Sequence, residues 1–84
     1  MLNYTGGEKV NRLKEIREDN DLLQKDIAKK IGITERNYIY FETGKTILTA
    51  DILKKLADYY DTSIDYLLYQ TDTRKPYPKS IMKN

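Results

Sequence analysis

The sequence predicts an all-α fold, and three observations carry that expectation. The stretch from Leu22 to Lys45, LLQKDIAKKIGITERNYIYFETGK, reads as two short helices joined by a tight Gly-containing turn. Further on, Leu53, Leu56, Ala57 and Tyr60 recur at i, i+3, i+4 and i+7, the stripe of an amphipathic helix. Thr34, Thr49 and Ser63 each stand just ahead of a helical run, where a hydroxyl accepts from an amide two or three residues on.

The elements follow in order. Residues 1–7 form a polar lead ending in Gly6-Gly7, expected to be a flexible arm. A first helix is expected from Glu8 to Asn20, with Val10, Leu13 and Ile16, and Leu2 as a further candidate, on its buried stripe. Lys9, Arg12, Lys14 and Glu15 are then expected to face water, and Asn20-Asp21 ends the helix. The second helix runs from Gln24 to Ile31, buries Ile27, Ala28 and Ile31, and breaks at Gly32, where a left-handed residue is wanted. Thr34 caps the third, which continues through Glu42 and stops at Gly44. After a loop over Thr43 to Leu48, Thr49 caps a fourth helix from Ala50 to Tyr60. Ser63 caps a short fifth helix carrying Ile64, Leu67 and Leu68. The domain is thus expected over 8–70. The tail over 71–84 is polar and Lys75-Pro76-Tyr77-Pro78 excludes a helix; the Pro76-Tyr77-Pro78 segment is expected either to join a dimer contact or to be disordered, and composition favours disorder.

Composition bounds the function. Eighty-four residues make one domain at most. There is no Cys, which removes disulfides and thiolate metal sites and fits a reducing compartment. No apolar run approaches the roughly 20 residues that span a bilayer, and MLNYTGGEK lacks the pattern of a signal peptide. A cytoplasmic protein with no membrane partner is the expectation. Fifteen Lys and Arg face thirteen Asp and Glu, a net +2. Arg74, Lys75, Lys79 and Lys83 against Asp72 leave the first seventy residues at −1. Bulk charge therefore does not argue for nucleic acid, and the placement of the charges must decide.

Two short helices with a turn of this length form a helix-turn-helix, whose second helix can enter a DNA major groove. Periodicity alone fits any helical hairpin. Gln24, Ala28, Gly32, Thr34, Tyr38, Glu42, Gly44 and Lys45, then Leu53, Leu56, Ala57 and Asp58, then Ser63-Ile64-Asp65-Tyr66-Leu67-Leu68, narrow the choice. In this register the chain resembles the phage-repressor-like helix-turn-helix family (Cro and C1-type, or Xre-like, domains) over roughly Lys9 to Tyr69. The resemblance implies a five-helix lambda-repressor-like domain whose second and third helices read DNA.

On a wheel of about 100° per residue, Tyr38 and Phe41 mark the inward face of the third helix. Arg36, Tyr40 and Thr43 lie opposite, Asn37 and Ile39 flank them, and Glu35 sits in the first turn. Arg pairs with guanine, Asn with adenine and Glu with cytosine, so this face can read base edges. The resemblance points to the same positions for base reading: Glu35, Arg36, Asn37 and Tyr40. It also implies that Gln24 hydrogen-bonds a phosphate while bracing the third helix. Lys25, Thr43 and Lys45 flank that helix and are the natural further phosphate partners. Glu42 lies toward Tyr38 on the wheel, an odd place for an unpaired carboxylate. The resemblance implies a structural salt bridge from Arg17 to Glu42. Three positions depart from the family pattern: Leu23 stands where Ser or Thr usually caps the second helix, with Asp21 a possible substitute. Leu48 stands where Pro is common, and Tyr38 replaces a small aliphatic residue.

The leading reading is a sequence-specific double-stranded-DNA-binding transcriptional regulator, a repressor on an inverted-repeat operator. One recognition helix reads only a few base pairs, so a homodimer is expected, at least on DNA. The resemblance puts the C-terminal end near the two-fold axis, with Leu68 and Tyr69 as contacts. The rival is an antitoxin or protein-interaction module with a partner such as a toxin. Near-neutral charge and eight Tyr, many clustered at Tyr59, Tyr60, Tyr66 and Tyr69, suit a protein surface; Tyr60 itself reads as core, while Tyr59 and Tyr69 are less easily buried. An enzyme is set aside: there is no His or Cys, and Ser63 and Ser80 read as cap and tail. Glu18, Asp19 and Asp21 lack calcium-loop spacing, so no metal or cofactor is expected. No sensor domain fits this length, so no small-molecule effector is expected either.

Overall fold

The computed structural model describes residues 10–76. The expected arm over 1–7, Glu8, Lys9 and the tail from Tyr77 onward lie outside the described residues. Within them the chain forms five helices and no strand: α1 (Leu13–Asp19), α2 (Gln24–Ile31), α3 (Glu35–Thr43), α4 (Ala50–Tyr60) and α5 (Ile64–Leu67). This is the all-α architecture read from the sequence, and α2 to α4 begin and end within a residue of the expected positions.

Local chemistry explains those boundaries. Thr34 accepts from the Asn37 amide at 3.1 Å, Thr49 from Ile52 at 3.2 Å and Ser63 from Tyr66 at 3.0 Å. Each hydroxyl satisfies one of the amides that a helix start leaves without a partner. Gly32 and Gly44 end α2 and α3 in the left-handed region, at φ 80° and 82°. Asp21 does not cap α2; it is itself left-handed, at φ 57°, in the turn after α1. The carboxylate of Asp26 accepts the Leu23 amide at 2.9 Å instead, which supplies half of the missing cap from inside the helix.

The first helix departs from expectation. It begins at Leu13, because the Asn11 side chain accepts the Leu13 amide at 3.0 Å and holds the preceding backbone in a non-helical turn. Val10 is consequently off the helical stripe and 53% exposed, rather than in the core. Leu13 and Ile16 are buried as expected, alongside Ile27, Tyr38, Leu56 and Leu67 in one continuous core.

Arg12 also departs from its expected place in water. Its guanidinium lies over the rings of Tyr66 and Tyr69, at 4.3 and 4.2 Å from their centroids. Its Nε donates to the Tyr66 carbonyl at 2.7 Å, and Nη2 donates to the Thr71 carbonyl at 3.3 Å and to Asp72 at 2.6 Å. The Arg12 amide itself donates to the Leu67 carbonyl at 2.8 Å. A long side chain with five donors and an apolar plane can satisfy stacking and carbonyl caps at once, which no short polar residue does. The stack helps hold Tyr69 at φ 64°, a backbone cost of about 1–2 kcal/mol for a side chain of this size. Thr62 donates to the Arg74 carbonyl at 2.6 Å, so the chain from 71 to 74 remains tied to the helices.

Arg12→Ala should lower stability by about 1.5–3 kcal/mol, the worth of hydrogen bonds to a charged donor. Asp72 is fully solvated, so Asp72→Ala should leave stability unchanged within the measurement. Urea unfolding of the two variants checks the contrast; equal losses would mean that the ion pair, not the stack and carbonyl bonds, carries the contact.

Candidate nucleic-acid interface

The sequence of α3 divides its surface. Tyr38 and Phe41 are buried, while Glu35, Arg36, Asn37 and Thr43 are exposed and Ile39 and Tyr40 are half-buried. Three side chains able to read bases therefore sit together on the first turn, outside the core. Tyr40 lies one turn further on, and the Lys45 ammonium stands 5.0 Å from its ring centroid. The end of α3 is closed by the Lys45 and Thr46 amides, which donate to the Tyr40 carbonyl at 2.8 and 3.2 Å. That closure fixes Lys45 relative to the helix.

Behind this face, Arg17 on α1 meets Glu42 through two parallel bonds of 2.9 Å, Nε to Oε1 and Nη2 to Oε2. The side chains are 10% and 5% exposed, so the pair is shielded from solvent. The third guanidinium nitrogen donates to the Leu22 carbonyl at 2.9 Å, joining the turn before α2 to the same group. Gln24 donates to Glu42 Oε2 at 3.4 Å. Burial alone would push the Glu42 carboxyl up, but hydrogen bonds, led by those from Arg17, outweigh it and hold the group below the ordinary carboxylate range. The same bonds push the Arg17 guanidinium further up. Tyr38 fills the space beneath, fully buried, its hydroxyl near Glu42 without a well-formed hydrogen bond to it. Burial, first, and the neighbouring carboxylate push that phenol up.

The residues expected at phosphates are distributed around this core. Gln24 opens α2 with its amide turned to Glu42, which is the bracing geometry, and Lys25 beside it is exposed. Lys45 is exposed past the end of α3. The Thr43 hydroxyl is already donated to the Ile39 carbonyl at 2.8 Å, so contacting a phosphate as a donor requires it to rotate. Leu68 and Tyr69, expected at a dimer contact, are each partly covered by the chain itself, Tyr69 by its stack on Arg12. One residue without an expected role holds the end of α3: Asn11, itself buried, donates to the Phe41 carbonyl at 3.0 Å. Its signal in the sequence is an Asn two positions before the first fully buried Leu, the place of a local cap.

The chain belongs to the helix-turn-helix family, of Cro/C1 type, whose model matches residues 13–67. Over 73 residues it is 38% identical to the uncharacterized HTH-type transcriptional regulator YobD of Bacillus subtilis, an alignment covering 87% of this chain and 63% of that one. It is 33% identical over 63 residues to the uncharacterized HTH-type transcriptional regulator MJ0272 of Methanocaldococcus jannaschii, covering 74% and 96%. The cryptic phage CTXphi transcriptional repressor RstR of Vibrio cholerae is 27% identical over 63 residues, covering 75% and 57%. The chain thus spans less than two thirds of the length of YobD and RstR. No solved structure matches it. No helix among the described residues is long and apolar enough to cross a membrane.

Arg17→Ala or Glu42→Ala should each cost roughly 3–5 kcal/mol, because either strands a shielded charge. The double variant should lose less than the sum; strict additivity in that cycle would mean the side chains do not interact. The pH dependence has a definite sign. The folded Glu42 carboxyl titrates below its unfolded value, so its contribution is complete above the ordinary carboxylate range and is lost as pH falls through the folded value. Acid unfolding of Glu42→Gln should be correspondingly less steep than that of the parent.

Proposed function

We propose that this chain is a sequence-specific double-stranded-DNA-binding transcriptional regulator, and that it acts as a repressor. The observation that carries the reading is the group Glu35, Arg36 and Asn37, exposed together on a helix whose opposite side is locked by a shielded ion pair. Arg36 would take guanine O6 and N7, Asn37 adenine N6 and N7, and Glu35 the cytosine amino group. Tyr40 would complete the base-reading set. Gln24, Lys25, Thr43 and Lys45 would hold the phosphates on either side of the groove, where the unpaired first amides of α2 add their own attraction for an anion. That RstR is named a phage repressor supports the repressor role.

A nine-residue α3 is about 13.5 Å long and reaches only a few base pairs. We therefore infer an inverted-repeat operator bound by a homodimer, with recognition helices about 34 Å apart. Leu68 and Tyr69, at the end of the last helix, are the proposed contacts. The antitoxin or interaction-module reading has one observation in its favour, the exposed Tyr59 on α4, 42% accessible beside Lys55 and Asp58.

Selection of a duplex from random sequence, followed by binding to it and to random DNA, tests the proposal. Arg36→Ala should weaken binding to the selected duplex by about 1–3 kcal/mol and relax preference at one base pair. Lys45→Ala should weaken both duplexes alike and lower the salt slope by about one. Unchanged discrimination in Arg36→Ala would remove the base-reading role. A salt-independent signal on random DNA would move weight to the interaction module. Sedimentation with the selected duplex should show two chains per duplex.

A further inference from the structure

We propose that Asn11 is a positioning residue for DNA recognition: its side-chain amide ties the end of α3 to the start of α1 and so sets the rotation at which α3 presents Glu35, Arg36 and Asn37. The proposal rests on the reading of α3 as the DNA-reading helix.

The geometry is specific. Asn11 is 9% exposed, its Nδ2 donates to the Phe41 carbonyl at 3.0 Å, and its Oδ1 accepts the Leu13 amide at 3.0 Å. Turning the amide over would set donor against donor and acceptor against acceptor, so both bonds define a single orientation. The adjacent residue adds a steric stop. A Cβ built on Gly44 would lie 3.0 and 3.2 Å from the two methyl groups of Val10, so the end of α3 and the segment before α1 are in close contact. Gly44 also shares the Phe41 carbonyl, through its own amide at 3.3 Å.

Why a second tie matters follows from helix geometry. Arg17 grips α3 at Glu42, and the buried rings of Tyr38 and Phe41 hold the helix against the core through apolar contacts that accommodate small rotations. Phe41 and Glu42 are adjacent in sequence but about 100° apart around the axis. Ties to both resist rotation of α3. A turn of about 20° would carry a side-chain tip, roughly 5–6 Å from the axis, through about 2 Å. A hydrogen bond to a base tolerates only about 0.5 Å between its short and long limits. Rotation on this scale therefore loses base discrimination while leaving the basic side chains near the phosphates.

Asn11 plays two parts, and one substitution separates them. In Asn11→Ser the short hydroxyl still accepts the Leu13 amide but does not reach Phe41; Asn11→Ala removes both contacts. Wild type and both variants are measured on the duplex selected by the wild-type protein and on random DNA, at a temperature where circular dichroism shows all of them folded. Leu53→Ala, in α4, serves as a control of lowered stability. Asn11→Ser should lose about five- to tenfold in the ratio of selected to random affinity, the lower range of one spoiled base contact, with random-DNA affinity unchanged. The control should keep the wild-type ratio. An unchanged ratio in Asn11→Ser, or an equal fall in Leu53→Ala, would overturn the positioning role and leave the DNA-binding function standing. If the wild-type protein selects no duplex at all, the DNA-reading function fails, and the role of Asn11 falls with it.

Discussion

Arg17 is the point at which three elements of this small domain meet. Its guanidinium forks onto Glu42 of α3, donates to the Leu22 carbonyl ahead of α2, and stands on α1. Placing a charge pair where it is 5–10% exposed returns little net stability, since desolvation offsets most of the attraction. What the pair supplies is direction. A planar fork meeting a carboxylate through two parallel bonds is satisfied in one geometry only, whereas the apolar contacts of Ile27, Phe41 and Leu56 accommodate small rotations with little loss. The angle between α1 and α3 is therefore set by polar contacts inside a frame held together by burial.

That division of labour explains how Tyr38 is accommodated where the family pattern has a small aliphatic residue. The ring is fully buried under α3 and its hydroxyl faces the region of Glu42, so a larger side chain fills the floor of the same polar cluster. It also bears on charge. The first seventy residues sum to −1, yet Lys25, Arg36 and Lys45 are exposed around the helix-turn-helix while Arg12 and Arg17 are spent inside the fold. Net charge misjudges such a surface because it sums the whole chain, whereas what an anion meets is the local placement of Lys25, Arg36 and Lys45.

The helices from α2 to α4 and all three hydroxyl caps were legible in the sequence. Period and capping are local, and Thr34, Thr49 and Ser63 act on amides within three residues. The start of α1 was not legible. Val10 extends an apolar stripe on paper, but the Asn11 side chain turns the backbone before the helix begins, and Val10 ends against Gly44, far along the chain. Arg12 reads as an ordinary solvated residue, and only the fold brings it to Tyr66, Tyr69 and Asp72, more than fifty positions away. At the interface, the exposure of Glu35, Arg36 and Asn37 followed from a helical wheel, because Tyr38 and Phe41 identify the buried side. The commitment of the Thr43 hydroxyl to its own helix did not follow, since a Thr in the last turn bonds backward or outward with equal ease.

The central claim is that α3, locked from behind by α1, offers its exposed first turns to DNA. The most direct measurement is a titration of isotope-labelled protein with its selected duplex, followed residue by residue through the amide resonances. The largest changes are expected at Gln24, Lys25, Glu35, Arg36, Asn37, Tyr40 and Lys45, with Leu53 to Tyr60 of α4 nearly unmoved. Changes centred on Tyr59 and α4, with Glu35 to Asn37 unmoved, would contradict it.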